Sequence, residues 1–126
     1  MVNKVLIEKA AGVLLVKSAV GHWRYQRLTA VVLTPLTLWL LVFLHKALNA
    51  SYAETLGWIS SPVNTLAIIA WTVLVFYHAA LGVQVVLEDY VSNIELRHKA
   101  ILATNLVFLI FGLVALLSII FILLVR

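Results

Sequence analysis

Three long uncharged stretches decide what this chain can become. They run from Leu28 to Leu44, from Pro62 to Leu87 and from Ala100 to Val125. A helix needs about 20 apolar residues to cross the hydrocarbon core of a bilayer, and each stretch meets that need, the first at its short end. Strands of a membrane barrel would instead alternate in segments of about 10 residues, a pattern absent here. The expected fold is all-α and integral to the membrane: a single domain over 1–126 with helices at about 27–46, 62–88 and 99–125. Composition agrees. Hydrophobic residues make up 64% and charged residues 11%, against about 45–50% and about 25% in soluble domains. At this length no soluble catalytic module fits beside the membrane part. Without cysteine the chain can hold no disulfide, thiolate zinc site or iron–sulfur cluster of its own.

The connections are short. Residues 45–61 hold polar and small residues, with Tyr52 and Trp58 suited to the headgroup level, and read as an interfacial loop. Pro62 follows Ser60 and Ser61 and fits the first turn of the second helix behind a serine cap. Residues 88–99 hold three of the five acids and read as the second loop. Pro35 removes one backbone hydrogen bond inside the first helix and is expected to bend it. In residues 1–26, Lys4, Glu8, Lys9 and Lys17 interrupt an apolar background. A signal peptide would need an unbroken apolar region and a small-x-small cleavage site, and neither is present. A segment lying at the membrane interface is the better reading.

Charge sets the orientation. Lys4, Lys9, Lys17, Arg24 and Arg27 precede the first span, and Arg97 and Lys99 lie in the second loop. Only Lys46 and Arg126 lie on the other side. This asymmetry puts the N-terminus and the 88–99 loop in the cytoplasm and the C-terminus outside. The formal charge of +4 therefore speaks to topology before it speaks to nucleic acid, for which nothing else argues.

His78 is the ionisable residue deep inside a span. Such a group costs free energy unless partnered, which makes it a functional candidate. It is either a cofactor ligand or a neutral imidazole bonded to a neighbour such as Gln84 or Thr72. His22, His45 and His98 flank helix ends, where an imidazole sits in the headgroup layer at no special cost. At 100° per residue, Trp71, Leu74, Gly82, Val85 and Asp89 project within about 40° of His78. Gly82 removes a side chain where a flat macrocycle would approach the backbone, or simply lets two helices pack closely. Asp89 lies about 16 Å further along the same face, toward the cytoplasm. A b-type haem usually takes two axial histidines, so a second chain would have to supply the other. Arg27 could pair with a propionate or a quinone oxygen, or serve as a snorkelling anchor. The Tyr90 hydroxyl can donate to a quinone carbonyl, and Asp89 can relay protons.

These residues carry a resemblance. HWRYQRLTAVVLTPLTLW (22–39) and YHAALGVQVVLEDYV (77–91) resemble the hydrophobic membrane-anchor subunits of succinate dehydrogenase, respiratory complex II. The second segment is the specific part, with a glycine four residues after the histidine and Asp-Tyr at positions eleven and twelve. The third span carries no motif. The resemblance implies a membrane subunit of a succinate:ubiquinone oxidoreductase, in the tricarboxylic acid cycle and the electron-transport chain, with no succinate-oxidising centre and no catalytic residue of its own. It implies partnership with a cytochrome b subunit, an iron–sulfur subunit and a flavoprotein in a bacterial inner membrane. It further implies a shared haem b whose iron His78 ligates, with Arg27 near the propionates or quinone. Tyr90 would then bind ubiquinone, with Asp89 beside it. Two other classes compete: a non-redox three-helix assembly or regulatory subunit, and a homo-oligomeric cytochrome that needs no partner.

Overall fold

In the computed structural model, the described backbone covers residues 2–125. Arg126 and the side chain of Lys17, both used in the charge count, lie outside the described residues. Four helices follow in chain order: α1 (Val2–Ala47), α2 (Tyr52–Ile59), α3 (Pro62–Tyr90) and α4 (Ile94–Val125). Three of them are long and apolar enough to cross a membrane, over Val20–Ala47, Pro62–Tyr90 and Ile94–Val125. The all-α integral-membrane expectation holds.

The elements differ from the expected ones at their ends. Residue 26 is not a break in the backbone, because α1 runs unbroken from Val2 into the first span. No proline stands before Pro35, and the charges at Lys4, Glu8 and Lys9 sit on helix faces without cost to the backbone. The helix also continues through Pro35. The loop over 45–61 contains α2, which the apolar-length criterion could not see. Ser51 caps α2: its hydroxyl accepts from the Glu54 N–H while the Glu54 carboxylate accepts from the Ser51 N–H at 2.8 Å. The Ser51 N–H, and its hydroxyl donating to the same carboxylate oxygen at 2.8 Å, hold the Glu54 carboxyl below its ordinary pKa. The 88–99 loop narrows to residues 91–93, since α3 and α4 extend through their charged ends. Asn93 starts α4, its Oδ1 accepting from the Leu96 N–H at 3.0 Å. Ser61 stands at the N-cap of α3 with Pro62 behind it, as expected, but its side chain makes no cap bond.

Helix α3 is the centre of the arrangement. Both α1 and α4 pack on it, and among the described residues they do not pack on each other. At the α2 end, Trp58 stacks on Phe43 at 4.7 Å and on Trp39 at 5.8 Å between ring centroids. Asn64 joins three elements there, accepting from Trp39 Nε1 at 3.2 Å and donating to the Trp58 carbonyl at 2.8 Å. Against α4, the Phe76 ring lies over Gly112, where a Cβ would meet it at 3.6 Å. Among the described residues only Phe43, Leu81, Thr29 and Thr72 are buried. A water-soluble chain with so little interior would not stay folded. Here the backbone bonds are satisfied within each helix, and the apolar exterior suits lipid and further helices.

Candidate cofactor site

The α1–α3 seam carries a ladder of polar groups. The two helices run antiparallel, so contacts descend one as they climb the other. Trp71 Nε1 donates to Thr37 Oγ1 at 3.1 Å. One level on, His78 Nδ1 lies 2.8 Å from Thr29 Oγ1, and His78 Nε2 lies 3.4 Å from Gln26 Nε2. Next, the Gln26 amide covers Gly82, with its nitrogen 3.5 Å from where a Cβ would stand. Last, the Gln84 amide nitrogen reaches His22 Nε2 at 3.2 Å and Glu88 Oε1 at 2.9 Å. The shared face of His78, Trp71 and Gly82 expected from helix geometry is therefore the face that meets α1.

His78 is partnered, but not by the residues first considered. Thr72 returns its hydroxyl to the Ile68 carbonyl at 2.8 Å, one turn back on its own helix. Gln84 belongs to His22 and Glu88. His22 is half-buried in the seam, and its Nδ1 is buried without a partner among the described residues. His45 and His98 are exposed, as expected. The missed residues had a signal. His22, Gln26 and Thr29 recur at i, i+4 and i+7, a polar stripe on an otherwise apolar helix.

Around the imidazole the packing is uneven. Thr29 is 5% exposed and its hydroxyl is fully engaged, also lying 2.8 Å from the Tyr25 carbonyl and 3.0 Å from that of Gln26. The Gln26 Oε1, by contrast, is buried with no partner. One nitrogen of His78 is thus firmly held and the other faces a loosely held side chain over a glycine. Arg27, Asp89 and Tyr90 stand apart from this cluster. Arg27 is exposed, its guanidinium 4.9 Å from the Trp23 ring centre. Asp89 is exposed, and Tyr90 at the end of α3 is 83% exposed. A separate groove of about 550 Å³ runs between α3 and α4, walled by Phe76, Phe108 and Leu113, with His22, Gln84 and Asn105 at one end. No group of three His, Cys, Asp or Glu side chains converges on a metal-sized space among the described residues. A single axial ligand from this chain needs none.

The family described as succinate dehydrogenase/fumarate reductase transmembrane subunit matches residues 7–114, which contain the whole seam. The chain belongs to this family. It is 37% identical over 100 residues to the succinate dehydrogenase hydrophobic membrane anchor subunit of Rickettsia bellii, covering 79% of this chain and 80% of that one. The protein of the same name from Rickettsia conorii is 35% identical over 91 residues, 71% of this chain and 72% of that one. That from Rickettsia prowazekii is 31% identical over 103 residues, 82% of each. No solved structure matches the chain. Family membership favours the membrane-subunit reading over a homo-oligomeric cytochrome.

Proposed function

We propose that the chain anchors a succinate:ubiquinone oxidoreductase in the bacterial inner membrane, co-ligates a haem b through His78 and completes a ubiquinone-reduction site with Tyr90. The observation that carries this reading is the His78 environment. Haem iron accepts a neutral imidazole nitrogen. Among the described residues the polar contact of His78 Nε2 is the Gln26 amide at 3.4 Å, whose carbonyl oxygen is unpartnered and whose nitrogen lies over Gly82. Moving that amide aside breaks one long contact and frees an orphaned polar atom, so the residues present fit the group. The haem would supply a one-electron centre. A cytochrome b subunit would share in holding it, and the iron–sulfur and flavoprotein subunits would dock on the basic cytoplasmic side.

This chain's own residues then divide the work. His78 offers a lone pair. Arg27, exposed and among the described residues lying against Trp23, can reach a propionate or a quinone oxygen. The exposed Tyr90 hydroxyl donates to a quinone carbonyl, and Asp89 beside it passes protons in from water. This role requires the N-terminus and residues 91–93 to face the cytoplasm, as the charge asymmetry indicates. Cysteine substitutions at Asn93 and Ser51 test that: position 51 is expected to label from the outer side. Labelling of position 93 from that side would reverse the topology.

The test of the function is a reduced-minus-oxidised spectrum of the complex purified through this chain with its partners. A b-type difference band is expected only when the partner subunits are co-expressed. Colour from this chain alone would favour a self-contained cytochrome. A colourless complex lacking quinone reductase activity would favour a non-redox subunit.

A further inference from the structure

The two ring nitrogens of His78 are not equivalent, and Thr29 makes the difference. The Thr29 hydroxyl has one proton and two backbone carbonyls in reach, Tyr25 O at 2.8 Å and Gln26 O at 3.0 Å. Such back-bonding within one turn is the ordinary state of a threonine inside a helix. With its proton committed there, Oγ1 turns a lone pair toward His78 Nδ1 at 2.8 Å. The imidazole therefore carries its proton on Nδ1. The tautomer is assigned from this bonding pattern.

We propose that Thr29 is the positioning residue of the His78 ligand: it fixes the Nδ1–H tautomer and ring orientation so that Nε2 presents its lone pair to the haem iron. The inference rests on the haem reading above and adds a residue that acts through the imidazole. Metal-ligating histidines generally donate their second N–H to an acceptor, which sets the tautomer and raises the basicity of the ligating nitrogen. Loss of that acceptor typically weakens metal binding by about 10–100-fold. A more basic imidazole favours the ferric state over the ferrous one. Removing the acceptor is thus expected to raise the haem midpoint potential, by about 59 mV for each tenfold loss of ferric preference in a one-electron couple.

The experiment compares Thr29→Val, Thr29→Ser and His78→Ala in the purified complex, reading haem per flavin, the low-spin ferric spectrum and the midpoint potential. Valine keeps the shape and removes the acceptor, while serine keeps the acceptor. The expected result is a raised potential and less haem per flavin in Thr29→Val, with values near wild type in Thr29→Ser. If Thr29→Val leaves both readouts unchanged while His78→Ala loses the low-spin signal, the Thr29 role is overturned and the haem reading stands. If His78→Ala also keeps its signal, the haem reading fails as well. Should Thr29→Val not assemble, Thr29→Ala is read in its place. Failure of both to assemble, with serine intact, would assign Thr29 to packing and overturn the proposal.

Discussion

Replacing His78 with alanine is expected to abolish the low-spin b-haem signal of the complex while leaving most of the anchor assembled. The two consequences differ in size. Within the chain His78 contributes one short hydrogen bond, to Thr29, and one long contact, to Gln26. Hydrogen bonds between membrane helices average about 0.6 kcal/mol and reach about 1.7 kcal/mol, because each partner finds substitutes when separated. The α1–α3 seam also keeps the Trp71–Thr37 and Gln84–His22 pairs on either side of the gap. A haem held through His78 would have no such reserve, since His78 would be the ligand this chain supplies to it. The measurement is the difference spectrum of the variant, with subunit content checked by electrophoresis. An unchanged bis-histidine spectrum would send the search for the ligand to His22 or His98.

The second large effect is expected at Tyr90. Tyr90→Phe keeps the ring and removes the donor. The side chain is 83% exposed and has no partner among the described residues, so the change should not disturb the helices. A hydrogen bond at a partly desolvated site contributes about 0.5–1.5 kcal/mol, and an unpaired quinone oxygen can add to that cost. Because 1.4 kcal/mol is about tenfold in rate, quinone reduction should fall by up to roughly tenfold. Haem content and succinate oxidation with a dye that takes electrons upstream of the quinone should be preserved. The readout is the ratio of quinone-reductase to dye-reductase activity. A ratio equal to that of wild type would make Tyr90 an aromatic-belt residue and remove the quinone assignment at its best-matched position.

The sequence by itself determined the number of spans and their approximate places. In lipid every helix must satisfy its own backbone, so a long uncharged stretch has one way to cross, whatever it packs against. His78 stood out on the same ground, as an ionisable group where none is cheap. Arg27, Asp89 and Tyr90 could be read for their chemistry alone, but the pattern shared with a family is what joined them in one reading, and each is exposed. Only the tertiary structure decided which side chains meet. Thr29 and Gln26 lie 49 and 52 residues before His78 in the chain, and nothing local specifies how far α1 slides along α3. The same applies at the other end, where Trp58 on the short α2 closes against Phe43 and Trp39. The stripe of His22, Gln26 and Thr29 could be read from α1 alone, but its partner face could not. Apolar surface in a bilayer is satisfied by many apolar neighbours, so the register of α1 depends on which polar groups meet across the seam with α3 and which aromatic rings meet it from α2.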